Sequence, residues 1–468
     1  MDWKQLLNDV RRKDKDKFIE KIETQKKDES RTELERDYDR ILFSTPVRRL
    51  ADKTQVFPLE INDSVRTRLT HSHEVSNLSR SIGVELVFNT DIVPEDLCPK
   101  RNVPALLAAI GLAHDLGNPP FGHQGENAIR KWFRDKEDVI FSGSELSQAM
   151  KNDFLNFEGN AQTFRLVTRL QVVDDDYGMN LTYGTLASLL KYTVPSDKIN
   201  EDVASRKKFG FFQSEIDIAN DVWRETGLSE GVRHPLTYIM EACDDIAYSV
   251  LDAEDSVKKQ LVSFADLISH LKHKANGDQV IIAVCNEADE RHKSFRSGTL
   301  SPAELNDVSM QMFRVFAIKA MVRATVKTFS DRLTDILNGT FDGDLIEKSE
   351  ACFLCKALKD FDREHGYKHK SVLALELQGY NTIIGLMDIL WDAIRDRKNE
   401  NKPGSKRNNP LSAYVYGRIS ENYRRIFESD KNPMPIRYRE AQLLTDMISG
   451  MTDNYAVNLY RDLKNIKS

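Results

Sequence analysis

The sequence predicts an all-α fold with a few short β segments. Two observations carry that expectation. Apolar residues recur at helical spacing through most of the 468 residues, and only two short stretches have the character of strands. Hydrophobic residues make up 40% and charged residues 30%, which suits a globular chain able to bury a large core.

The elements follow in order. Residues 1–45 are dense in charge, with apolar positions at Trp3, Leu6, Leu7, Val10 and Phe18, and predict solvated helices leading into the fold. The segment "KTQVFPLEI" is the most strand-like early piece, and "GMNLTYGT" predicts a short strand or turn before another helix. The strongest helical patterns run from Pro104 to Asp115, Pro235 to Val257, Pro302 to Phe329 and Val372 to Arg395. Pro104 and Pro235 are placed in first turns, where a missing N–H costs nothing. Arg395 to Pro410 is polar, contains Pro and Gly, and predicts a linker or flexible loop. The expected organisation is a charged helical segment over 1–40, a core over 41–260 and a helical C-terminal region over 261–468.

Net charge is −6, so no global basicity points to a polyanion. The beginning of the chain lacks an apolar signal core, and no apolar run approaches the roughly 18–20 residues that span a bilayer, so no membrane partner is expected. Five scattered cysteines, Cys98, Cys243, Cys285, Cys352 and Cys355, indicate a reducing, cytoplasmic setting. Cys352 and Cys355 form a lone CxxC in an apolar helical stretch and are expected to pack in the core.

The chemistry concentrates in "GLAHDLGNPPFGHQGENAI", residues 111–129. His114 and Asp115 end an apolar helix, and their imidazole and carboxylate donors suit Mn, Fe or Co, with Mg possible. On its own the pair is equally a capped helix end. Upstream, "RTRLTHSHEVSNLSRSIG" offers His71 and His73 at a helix start; two residues apart, they point to nearly opposite sides, so one is a ligand. Downstream, Asp244, Tyr248, Asp252 and Asp255 fall within roughly 80° of one another on a helix. Acids stacked on one apolar-flanked face repel unless a cation or a ligand's hydroxyls compensate. Asp245 lies off that face, which favours Asp244 as the ligand.

Together "RLTHS", "AHDLGNPPFGH" and "ACDDIAYSVLD" resemble the HD-domain phosphohydrolases. More narrowly, "VRRLADKTQVFPLE", "NFEGNAQTFRL", "LKYTVP", "LELQGY" and "SGMTDNYA" are similar to segments of the bacterial dGTP triphosphohydrolases, from about residue 40 nearly to the end. The resemblance implies one divalent metal on His71, His114, Asp115 and Asp244, and a catalytic pair in His123 and Glu126. It implies Gln55, Tyr248 and Asp252 around the deoxyribose, Asn160, Lys191 and Arg68 on the phosphates, and Glu376 near the base. Ala51 stands where the family often has Gln. Each of three positions also has a plain structural reading: Arg68 in a salt bridge to Glu60 or Asp63, Lys191 solvated, Tyr248 an amphipathic edge.

The implied reaction is metal-dependent hydrolysis of dGTP to deoxyguanosine and triphosphate, controlling dNTP pools. The loop Gly117–Gly122 turns the chain back so that His123 faces the metal. His123 either protonates the leaving oxygen or positions water, with Glu126 one helical turn on. The alternatives are a broader dNTP triphosphohydrolase and a catalytically inactive nucleotide- or DNA-binding regulatory module. The resemblance also implies homo-oligomers, commonly hexamers, and single-stranded DNA as an effector. The C-terminal region, with Arg418, Arg424 and Arg425, would complete the pocket and the oligomer contacts.

Overall fold

In the computed structural model the described residues are 1–16, 30–60, 62–143, 145–171, 176–296 and 298–467; Phe18 and Ile61 lie outside them. Among these residues the chain forms helices and no strand, so the all-α expectation holds. Both strand-like stretches contribute one isolated bridge each, Thr54 with Thr67 and Arg11 with Thr182.

Helix α1 (Glu33–Leu42) opens on a capping box between Thr32 and Glu35. Next come α2 (Arg68–Asn89) and α3 (Pro99–Ala113). They lie antiparallel in close contact: a methyl on Gly83 would sit 2.7 Å from Leu107, and one on Gly111 would sit 2.8 Å from the Cα of Ser76. Side chains this small let the two backbones approach, and Ser76 Oγ donates to the Ala108 carbonyl at 2.8 Å. Pro104 falls inside α3 rather than in its first turn, which Pro99 occupies. Its backbone lies close to Gly83, where a methyl would come within 3.3 Å of the Pro104 Cα.

The chain continues through α4 (Gly122–Asp135), α5 (Gly159–Arg165), α6 (Tyr183–Leu189) and the long α7 (Pro235–Lys258). Helices α8 (Phe264–Lys274), α9 (Gln279–Arg296), α10 (Pro302–Asp331) and α11 (Cys352–Phe361) follow, and α11 runs into a π turn over Asp362–Tyr367. Helix α12 (Lys370–Arg395) lies across α4, where Trp132 meets Trp391 edge to face and donates to Asp388 at 2.7 Å. Helices α13 (Ile436–Ser449) and α14 (Asp453–Lys467) end the chain.

Most buried apolar side chains form one contiguous cluster from Trp3 to Leu463, and Phe57, Val65 and Val372 form a small second one. The first residues are therefore not solvated helices. Trp3, Leu6 and Leu7 are in the core, and buried Arg11 binds Asp37 at 2.6 Å. Charge density concealed an apolar face too short to show a period. The stretch after Arg395 is non-helical as expected, yet it is anchored: Arg397 binds Glu440, and the Arg407 guanidinium lies 3.4 Å above the Tyr416 ring. Cys355 is buried, its Sγ 3.9 Å from Ser249 Oγ, as core packing requires, whereas Cys352 is half-buried at the edge of the core.

Candidate active site

Three helices deliver a compact donor set. His71 lies in the first turn of α2, His114 and Asp115 end α3, and Asp244 comes from mid-α7. His71, His114 and Asp115 each offer a ligand atom within 4.8 Å of the others. Asp244 Oδ1 reaches both rings, 3.1 Å from His71 Nε2 and 3.5 Å from His114 Nε2. His73, two residues from buried His71, is exposed, as the helical argument requires.

The fit to a cation can be tested on single atoms. His114 Nδ1 bonds the Gly111 carbonyl at 2.7 Å, which fixes the ring and turns Nε2 inward. That Nε2 is buried without a hydrogen-bond partner, 3.5 Å from a carboxylate oxygen of each of Asp115 and Asp244. An orphaned buried nitrogen is costly unless something fills the place it faces. Burial would lower the His114 pKa, but the two carboxylates overcome it and raise it to about 9. The pocket thus attracts positive charge, and its mixed N/O donors fit a divalent cation.

Arg68 is buried and pairs with Asp115, not with Glu60 or Asp63; Glu60 pairs with Lys259 instead. Burial would raise the Asp115 pKa, yet Arg68 and His114 hold it down to about 2. Arg68 Nε also donates to the Thr54 carbonyl at 3.1 Å, beside Gln55, whose Oε1 is buried without a partner. Lys191 is not solvated: its Nζ lies 3.5 Å from Glu241 and 3.7 Å from Asp244.

The Gly-Pro loop then folds back over this set. Phe121 takes a left-handed conformation, φ 62°, and Gly122 follows at φ 54°. A methyl on Gly125 would meet the Pro120 carbonyl at 2.1 Å. The turn starts α4 with His123 beside Glu126, Nδ1 to Oε2 3.3 Å. Glu126 is buried and accepts the Gly159 N–H at 2.8 Å, while the His123 side chain is 82% exposed. Its hydrogen bond to Glu126 raises the His123 pKa despite the surrounding protein. Burial would raise the Glu126 pKa, but His123, Lys208 and Arg130 keep it low. The two histidine centres adjoin, since Arg68 Nη2 stands 3.1 Å from where a Gly122 side chain would start.

Tyr248 and Asp252 continue the α7 face. Asp252 is buried and accepts from the Tyr367 hydroxyl at 2.6 Å, and the Tyr367 ring lies 6.0 Å from that of Tyr248. Burial lifts the Asp252 pKa well above the usual carboxylate range. Asp255 binds Arg66 at 2.5 Å and belongs to the framework. Asp245 pairs with Lys359 at 2.8 Å, off the site. Asn160 bonds Glu158 at 3.0 Å, next to the Gly159 that holds Glu126. Glu376 reaches from α12 toward Gln124 and His123.

Several site residues were not read from the sequence. Asn118 donates to Asp115 Oδ1 at 2.7 Å, Tyr367 to Asp252, and Lys53 to the Asn118 and Ser449 carbonyls at 2.6 and 2.7 Å. Asp453 accepts the Thr54 and Phe121 amides, each at 3.0 Å, and clamps the loop to α14. The quoted "NPPFGH", "KTQ" and "SGMTDNYA" stretches contained the signal for Asn118, Lys53 and Asp453; nothing near Tyr367 did.

Histidines and aspartates gathered this way on an all-helical scaffold define the HD domain, whose family model matches residues 68–170. Similarity to curated proteins extends far beyond that stretch. The chain is 34% identical to a deoxyguanosinetriphosphate triphosphohydrolase-like protein of Listeria monocytogenes over 100% of both chains. It is also 34% identical to the deoxyguanosinetriphosphate triphosphohydrolase of Serratia proteamaculans (95% of this chain, 96% of the relative). The same identity holds for that of Salmonella typhimurium (92% and 93%). The chain belongs to the deoxyguanosinetriphosphate triphosphohydrolase family of HD-domain hydrolases, and it is an enzyme. No helix among the described residues is long and apolar enough to cross a membrane.

Proposed function

We propose that the chain hydrolyses dGTP to deoxyguanosine and inorganic triphosphate and thereby limits the cytoplasmic dNTP pool. His71, His114, Asp115 and Asp244 would hold one divalent cation, Mn or Mg. The observation that carries this reading is the buried, unpartnered His114 Nε2 between two carboxylates, next to an exposed His123 backed by a buried Glu126. Such a cation supplies charge neutralisation at phosphate oxygens and a water of lowered pKa.

The chain's own residues do the rest. Arg68 and Lys191 bring fixed positive charge to the phosphates, and the first amides of α4 favour an anion. Water adds to the α-phosphorus as its bond to the 5′-oxygen breaks, and the electron pair leaves on that oxygen. His123 donates its proton there, a contribution of about 10² to 10⁴ in such reactions. Glu126 holds the opposite ring nitrogen and favours the protonated form. Tyr248, Asp252 and Gln55 would surround the deoxyribose, Asn160 a phosphate and Glu376 the base. Self-association and response to single-stranded DNA extend the proposal; exposed Arg425 and half-buried Arg418 and Arg424 suit such contacts.

The test incubates the protein with each dNTP and NTP in Mn or Mg and resolves triphosphate from pyrophosphate and phosphate. Triphosphate from dGTP in excess over other substrates is expected. Equal rates on all dNTPs would replace the dGTP reading with a broader one. Pyrophosphate as product, or binding without turnover, would overturn it.

A further inference from the structure

Six of the chain's ten histidines lie outside residues 71–123, and two of them meet. His270 is on α8, and His365 belongs to the π turn that follows α11. Together with Glu364 they each present a ligand atom within 4.8 Å of the other two. The His270 and His365 rings stand edge to face, centroids 6.1 Å apart, and His365 also rests 4.9 Å from Phe361. His270 Nε2 is 3.1 Å from the Ala357 carbonyl. That bond fixes the ring and its tautomer and leaves Nδ1 with the free lone pair, the orienting contact that metal-binding histidines commonly have. Glu364 and His365 are about half exposed, at 51% and 43%, so an ion has an open path. Asp266, one helical turn before His270, is spent on capping α8 through Ser263 and adds negative field without being a ligand.

We propose that His270, Glu364 and His365 form a second metal site, separate from the HD centre, that takes a borderline dication such as Zn, Co or Ni. Two imidazoles and one carboxylate leave the remaining positions to water, and nitrogen donors select these ions over Mg or Ca. No residue is shared with the HD set. The site joins α8 to the π turn, and the same turn carries Tyr367, two residues from His365, into its hydrogen bond with Asp252. Occupancy therefore pins the turn that walls the α7 face. Any consequence for sugar binding rests on the function proposed above; the metal site itself does not.

Full-length protein, stripped of metal, is titrated with Zn alone by calorimetry, alongside His365→Ala and the milder His270→Gln. Wild type should take up one Zn equivalent more than either variant. Hydrogen exchange of the amides over 362–369 should slow on Zn addition in wild type and not in His365→Ala. Equal stoichiometry in all three proteins, or Zn-independent exchange in wild type, would overturn the site. Neither measurement involves nucleotide, so a failure here is distinct from a failure of the proposed reaction.

Discussion

The two histidine centres of the candidate site use the same side chain in opposite settings. His71 and His114 are buried, locked by the helices that carry them, and face carboxylates. His123 is 82% exposed and held through one contact to a buried glutamate. The proposed ligands of the HD cation gain from being preorganised and shielded, because electrostatic attraction falls steeply in water. A proton donor must meet the substrate, so only its far nitrogen needs fixing. The Gly-Pro loop lets both demands be met nine residues apart.

The largest expected effect comes from damaging the buried centre. Asp115→Asn removes a candidate ligand and the partner of buried Arg68. Metal content should fall, and activity should drop by about 10³ or more, since a catalytic cation supplies several kcal/mol. The apo protein should also lose about 3 to 5 kcal/mol of stability, because a buried guanidinium is left unpaired. Retained metal by elemental analysis together with retained turnover would remove Asp115 from the ligand set.

His123→Ala should separate the two centres. Turnover should fall by about 10² to 10⁴. Metal content should be unchanged, and stability should stay within about 0.5 kcal/mol because the side chain is largely exposed. Near-normal kcat with metal bound would show that His123 moves no proton in the rate-limiting step.

How much of this contrast was legible in the sequence follows from how local each feature is. Helical geometry set His71 and His73 on different faces and took Asp245 off the face of Asp244, because 100° per residue decides which neighbours share a face; the family resemblance favoured His71 of the two. The turn between His114 and His123 was visible in its glycines and prolines. Partners supplied by distant segments were not. The plain structural reading of Arg68 pairs it with Glu60 or Asp63, its neighbours in sequence, whereas its carboxylate comes from the end of α3. Tyr367 arrives from 115 residues beyond Asp252. Trp3, Leu6 and Leu7 are buried by elements far along the chain, and the charge around them gave no hint of it.

Glu126→Gln gives the smallest effect and sharpens the assignment most. The carboxylate raises the His123 pKa above its ordinary 6.5. If the imidazolium is the donor, activity is present below that raised pKa and lost as pH climbs through it. Glutamine keeps an oxygen for the Gly159 N–H but gives up the charge, worth about 1.5 to 3 kcal/mol in such a bond. The alkaline limb of the kcat profile should therefore move down by about one pH unit or more, while metal content stays the same. A general acid must show this shift, since the fraction of protonated His123 at any given pH falls with its pKa. A histidine that positions water as the neutral base would leave the alkaline limb in place: its acid limb would move down instead, and activity at low pH would improve. Which limb of the profile moves decides between the two roles left open for His123.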